Sequence, residues 1–96
     1  MLVLPPKLTH DEAPACAYML QRGLAGQTDT ATVVDASALV HFDSSALAVL
    51  LECRREALAL GKSFAVSQLH PRLRELAGLY GVAELLPEAV QAVGER

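Results

Sequence analysis

The chain has 96 residues, a formal net charge of −3 and 52% hydrophobic residues, so it can bury one core and form a single domain over residues 1–96. Its charges are scattered and form no basic stripe, which argues against a nucleic-acid partner and against an electrostatic membrane contact. The amino-terminal apolar run is too short for a signal peptide or a membrane anchor, so we expect a cytoplasmic protein.

The first elements of the chain are a short strand and a helix. Leu2–Leu4 predicts the strand, which the two following prolines end. Thr9 and Glu12 match a capping box, in which the Thr9 hydroxyl accepts from the Glu12 amide while the Glu12 side chain reaches back. The helix that follows has apolar residues at helical spacing, namely Ala13, Ala17, Leu20 and Leu24.

The centre of the chain predicts a second strand and a long helix. The β-branched run Thr32–Ala36 is the clearest strand in the sequence. A loop over residues 37–41 then leads to Asp43, Ser44 and Ser45, three residues that favour a helix start. We expect the helix to run from about Ser44 to Leu60, with Gly61 ending it.

The last third continues the alternation of strands and helices. We predict a strand over Ser63–Ser67, a helix over Pro71–Leu79, an extended segment or turn over Val82–Leu86, and a terminal helix over Pro87–Val93. The order βαβαβα(β)α indicates an α/β fold, with helices packed on a short, mainly parallel sheet.

The long central helix has two apolar faces. The broader face should contact the sheet and consists of Ala46, Val49, Leu50, Cys53, Ala57 and Leu60. Leu47, Leu51 and Leu58 form a second strip, which Arg54 separates from the first. This strip either packs against a neighbouring helix or, with Arg54 or Arg55 at its rim, forms a docking patch for a partner protein.

The sequence contains no pattern of residues that indicates a catalytic site or a metal site. Asp35, His41 and Ser44 lie within ten residues of one another, but no segment supplies an oxyanion hole, a P-loop or a dinucleotide fingerprint. Cys16 and Cys53 lack metal-site spacing and are expected to be buried thiols. We therefore expect no catalytic residue, no cofactor and no metal. The exposed serine at the helix tip is instead a candidate for phosphorylation, which would change the charge of a docking surface.

The segment from Val33 to Leu47 resembles the STAS domain (sulphate transporter and anti-sigma-factor antagonist). Val33-Val34-Asp35-Ala36-Ser37 and Asp43-Ser44-Ser45-Ala46-Leu47 match that family's two hydrophobic-Asp blocks, and the rest of residues 1–90 continues in step. The resemblance implies the STAS fold. By position, Ser44 falls where anti-sigma-factor antagonists carry their phosphorylated serine.

Within that family, Leu76-Ala77-Gly78-Leu79-Tyr80 is similar to the STAS subunits of the Mla phospholipid-transport system. This implies a non-catalytic subunit that docks on and regulates the ATPase of an ABC transporter acting in outer-membrane lipid asymmetry. Docking is expected through Asp43, Ser44, Ser45, Leu47, Leu51 and Arg54. The alternative is an anti-sigma factor antagonist whose partner is a kinase that phosphorylates Ser44.

The sequence departs from the family at two places. Ala46 stands where the family usually has glycine, a residue that permits a close backbone approach. STAS domains commonly begin with a β-hairpin, whereas this chain starts on what corresponds to their second strand. The missing strand predicts an open sheet edge through which two copies could pair as a homodimer.

Overall fold

The structure, a computed structural model, describes residues 2–89. Strands and helices follow one another along them in the order β1 (Leu2–Val3), β2 (Lys7–Leu8), α1 (Ala13–Gly26), β3 (Ala31–Asp35), β4 (His41–Phe42), α2 (Ser45–Ala59), β5 (Ser63–Ser67) and α3 (Pro71–Leu79). A short 3₁₀ turn over Ala83–Leu85 follows α3, where the sequence predicts an extended segment or a turn. The predicted α/β architecture is therefore confirmed.

The main sheet has the strand order β1-β3-β5, and both pairs of strands are parallel. Because each strand is joined to its neighbour by a helix, right-handed crossovers place α1 and α2 on the same face of the sheet. Among residues 2–89, no strand pairs with the outer side of β1, and Val3 on this edge is 55% exposed. The expected homodimer through this edge stays a prediction.

The terminal helix predicted from Pro87 is wrong for residues 87–89, and residues 90–93 lie outside the described residues. The Val66 amide donates to the Pro87 carbonyl and the Ala89 amide donates to the Val66 carbonyl, both at 2.8 Å, so this segment runs parallel to β5. Proline favours the start of a helix, but it is also tolerated at the end of a strand. Here only the Pro87 carbonyl takes part in the strand pairing, so its missing amide hydrogen costs nothing. Pairing with the edge of β5 gives residues 87–89 an extended conformation in place of a helical one.

A second, two-stranded sheet was not predicted. Lys7 pairs with His41 and Leu8 pairs with Phe42, in parallel register. The amides of Val40 and His41 also donate to the carbonyl of Pro6, at 3.0 and 3.1 Å. A strand of two residues is too short to show a hydrophobic periodicity. The loop expected over residues 37–41 therefore includes the first residue of β4.

The core lies between the helices and one face of the main sheet. Alternate strand residues, Thr32 and Val34 in β3 and Phe64 and Val66 in β5, are buried, as the period of two predicts. Five of the six residues expected to face the sheet from α2 are buried as well, and the exception is Leu60, which is 55% exposed. Leu60 is the C-cap residue, where the backbone has already left the helix.

The sequence signal at the end of α2 is confirmed in full, whereas the signal at the start of α1 is confirmed only in part. Gly61 ends α2 as predicted, with φ of +76°, while the Gly61 amide donates to Leu58 and the Lys62 amide to Ala57 in a Schellman arrangement. The capping box before α1 forms only in part. The Glu12 carboxylate accepts from the Thr9 amide at 2.8 Å, but the Thr9 hydroxyl also donates to that carboxylate and does not accept from the Glu12 amide.

Candidate docking surface

The carboxylate of Asp43 fixes the start of α2. Its Oδ1 accepts from the Ser45 amide at 2.8 Å, and its Oδ2 accepts from the His10 amide at 3.1 Å. These donors, the Ser45 amide foremost, hold the pKa of Asp43 below its ordinary value of 3.8. One side chain therefore ties the first turn of α2 to the loop that precedes α1.

Ser44 occupies the N-cap position of α2 but leaves the capping to Asp43. Its side chain is exposed and its hydroxyl makes no capping hydrogen bond. Ser45, the first residue of the helix, is half-buried. The amino-terminal end of a helix carries unpaired amides and a partial positive charge. The Ser44 hydroxyl consequently stands free beside an electropositive helix end.

The structure removes Leu47 from the predicted exposed flank. Leu47 is 2% exposed and belongs to the core, so the expectation that its side chain offers a contact surface is wrong. The buried arc of α2 extends from Val49 through Leu50 to Leu47, about 160° around the helix. Leu51 is half-buried against the core and Leu58 is 47% exposed, so these two leucines alone form the exposed part of the strip.

A shallow groove of about 370 Å³ runs along this exposed flank, and we call it the outer groove. Its lining residues are Ala48, Leu51, Glu52, Arg54, Arg55, Leu58 and Leu85. Ser44 lies four residues before Ala48 and seven before Leu51, on the same side of the helix. The structure therefore joins three predicted residues, Ser44, Leu51 and Arg54, into one surface that extends from the helix tip into the groove.

The outer groove has more positive than negative side chains. Arg55 forms an ion pair with Glu52 across one helical turn. Arg54 is half-buried, and within residues 2–89 no carboxylate lies in ion-pair contact with it. The lining residues that the structure describes thus carry two cations and one anion, on a chain whose net charge is −3.

A second groove, of about 260 Å³, lies between α1 and α2, and we call it the inner groove. It is lined by Pro14, Ala17, Tyr18, Gln21, Val49, Glu52, Cys53 and Glu56. Sequence analysis missed it, because its two walls are far apart in the chain and meet only when α1 packs on α2. The helical spacing of Pro14, Tyr18 and Gln21 is the one signal that could have indicated a shared face.

Both cysteines are buried, as predicted. Burial raises the pKa of Cys53 to about 11 and also raises the pKa of Cys16. Because the thiolate is the reactive form, burial and the raised pKa values disfavour reaction of both thiols, which contribute packing.

His70 and Arg74, which lie outside the outer groove, have structural contacts. The His70 Nδ1 accepts from the Arg72 amide at 3.1 Å and caps α3, and the ring packs edge-on against Phe42 at 5.2 Å. Arg74 donates to the Leu86 carbonyl and pairs with Glu88 at 3.0 Å. Among the described hydrogen bonds, none joins Asp35, His41 and Ser44.

Two negative findings apply to residues 2–89. No helix in this stretch has the length and apolar character that crossing a bilayer requires. The same residues contain no cluster of three or more His, Cys, Asp or Glu side chains suited to a metal ion.

Comparison with solved structures supports the fold. An anti-sigma-factor antagonist (STAS) domain protein from Planctomyces limnophilus superposes with a TM-score of 0.77 at 17% identity, covering 96% of this chain and 82% of the other. The anti-sigma factor antagonist SpoIIAA in its unphosphorylated form gives 0.72, also at 17% identity, covering 96% and 80%. At this identity the likeness concerns the fold, and it confirms the expected STAS architecture.

Sequence comparison identifies the family. No curated protein matches the chain. A family model described as "Mlab, STAS domain" matches residues 1–87, which is nearly the whole chain. STAS domains are generally binding domains that interact with other proteins and do not catalyse reactions. The chain therefore belongs to the MlaB-like family of STAS domains.

Proposed function

We propose that this chain is a non-catalytic subunit that docks on the ATPase of a phospholipid-transporting ABC transporter and regulates it. The single observation that carries the proposal is the exposed surface formed by the α2 tip and the outer groove, in a chain of the MlaB-like family. The role requires the chain to be cytoplasmic, held at the inner membrane through its partner.

The helix tip is suited to recognition because its geometry is fixed before the partner arrives. Asp43 is held by two amides, and its hydrogen bonds position Ser44 at the end of α2. A preformed contact point loses little conformational entropy on binding. The Ser44 hydroxyl can donate to a carbonyl or carboxylate of the partner, while the half-buried Leu51 supplies an apolar contact in the adjoining groove.

The test is co-purification of the tagged chain with the cognate ATPase subunit. We expect Ser44→Glu and Leu51→Glu each to abolish the complex, because a charge at either position is repelled or desolvated at the interface. Ser63→Glu and Met19→Glu are matched controls, since both side chains are exposed and lie on β5 and α1. Binding that survives both Ser44→Glu and Leu51→Glu would refute this surface.

One observation favours a second candidate, an anti-sigma factor antagonist regulated by phosphorylation. The Ser44 hydroxyl is exposed and unused by the helix cap, so a kinase could reach it without breaking a hydrogen bond of the cap. A phosphate would add up to about two negative charges and three acceptor oxygens at the tip.

Incubation with the partner kinase and ATP separates the two candidates. A mass gain of one phosphate, abolished by Ser44→Ala and retained by Ser45→Ala, would support the antagonist. An unchanged mass, together with stable binding to the transporter ATPase, would support the transporter subunit.

A further inference from the structure

The outer groove has the features of a helix-binding site. Its apolar residues, Ala48, Leu51 and Leu58, recur at helical spacing along one side of α2, and Leu85 of the 3₁₀ turn forms the opposite wall. From Ala48 to Leu58 the groove extends about 15 Å, or about three turns of a docked helix. Amphipathic helices commonly bind in such grooves through apolar residues on one face.

The charges of the groove indicate which charge the bound helix should carry. Viewed along α2, Leu51 and Leu58 lie between Arg54 and Arg55, whose positions are about 100° apart around the helix. Glu52 engages Arg55, which leaves the half-buried Arg54 without a carboxylate in the described part of the chain. A half-buried cation beside an apolar surface is best paired by a carboxylate brought by a partner, because docking would otherwise desolvate it without compensation.

The other side of α2 has the opposite charge. The inner groove contains Glu52 and Glu56, and among residues 2–89 no lysine or arginine lines it, although its size is similar. A helix carrying carboxylates would be repelled there and attracted to the outer groove. The two grooves therefore differ in the partner charge that they accept.

We propose that the outer groove binds an acidic amphipathic helix of the protein partner, with an apolar seam against Leu51 and Leu58 and a carboxylate against Arg54. This inference rests on the proposed function, which it deepens by specifying the chemistry of the partner segment. Docking at the groove brings that helix next to the Ser44 tip, so both parts of the surface contact one partner.

The inference is tested with two synthetic helical peptides of about fourteen residues, or about four turns. Both have the same leucine seam, and they differ only in carrying glutamate or lysine beside it. Amide chemical shifts of the folded chain report binding. We expect the glutamate peptide to shift Ala48, Leu51, Leu58 and Leu85, and to bind at least about tenfold more tightly than the lysine peptide.

Charge reversal supplies the decisive variants. Arg54→Glu should weaken the glutamate peptide about tenfold and strengthen the lysine peptide. Arg22→Glu is the matched control, since this exposed arginine lies on α1 against Tyr18, and it should leave both affinities unchanged. Leu58→Glu changes an exposed side chain, so it provides a second variant that folds, and it should weaken both peptides.

Equal binding of the two peptides, or shifts confined to the inner groove, would overturn the inference. Vesicles of anionic phospholipid that shift the groove amides when the glutamate peptide does not would overturn it too, by making the ligand a lipid headgroup. The peptide assay contains no ATPase. A chain that selects the glutamate peptide but does not co-purify with the ATPase would refute only the proposed function.

Discussion

Truncation of Leu47 to alanine tests whether α2 is buried on the side where the sequence suggests a docking strip. Leu47 is 2% exposed and packed in the core, whereas Leu58, on the same predicted strip, is 47% exposed. Leu47→Ala removes a buried side chain and leaves a cavity, and Leu58→Ala removes one that already contacts water. The two substitutions are chemically identical, so their difference isolates burial.

The expected magnitudes are far apart. A buried leucine replaced by alanine loses about 3 kcal/mol of unfolding free energy, from lost transfer energy and the cavity together. A domain of this size has a total stability of about 5–15 kcal/mol and loses about 4–8 °C of melting temperature per kcal/mol, so Leu47→Ala should lower the melting temperature by about 12–24 °C. Leu58→Ala should cost less than about 1 kcal/mol, because alanine is also the best helix former.

Urea denaturation followed by circular dichroism at the helical band measures both free energies. The slope of the free energy against urea concentration should remain the same in all three proteins, since a changed slope would indicate a changed unfolded state or loss of two-state behaviour. Equal destabilisation by Leu47→Ala and Leu58→Ala would refute the burial of Leu47. A large loss of stability for Leu47→Ala would also mean that any loss of partner binding by this variant has to be attributed to folding.

Three further predictions concern the tip, a thiol and two glycines. The lowered pKa of Asp43 means that the unfolded chain binds more protons, so stability should fall as the pH drops below 3.8, and Asp43→Asn should flatten this part of the thermal-midpoint profile; identical profiles would contradict the role of Asp43. Cys53, with its pKa raised to about 11 by burial, should react with a thiol reagent only in denaturant, and rapid labelling of the native protein would show that it is accessible. Gly61→Ala should cost about 1 kcal/mol in urea unfolding because φ is +76°, whereas Gly78→Ala, inside α3 with open space where the added Cβ would lie, should stabilise by up to about 1 kcal/mol; equal effects would refute the argument from φ.

The predicted elements agree with the structure where local signals are strong and repeated. In the two five-residue strands the second and fourth residues are buried, and α2 runs from an Asp-Ser-Ser start to a glycine stop, so periodicity and end signals agree. The prediction is wrong at Pro87, where a local helix-start signal competes with the free edge of β5. It also misses β2 and β4, whose pairing depends on two segments over thirty residues apart.

The candidate surface was located from the sequence, but its composition was not. Asp43, Ser44, Leu51 and Arg54 lie at or beside the tip and outer groove, since a helical wheel specifies which residues share a side, and their role in docking stays a prediction. A wheel does not show how wide the buried arc is. That width depends on how many elements pack around α2, and it is the reason that Leu47 is in the core.

By itself, the sequence determines the order of the three main-sheet strands and the three helices, the parallel α/β class, the boundaries of α2 around Asp43 and Gly61, and the likeness to STAS domains, because each depends on neighbouring residues or on a short motif. Only the tertiary structure decides which leucines of α2 remain in contact with water, that Asp43 takes the cap and leaves the Ser44 hydroxyl free, and that two grooves of different charge flank the same helix. These features arise from contacts between segments that are distant in the chain, and burial and charge pairing are properties of those contacts.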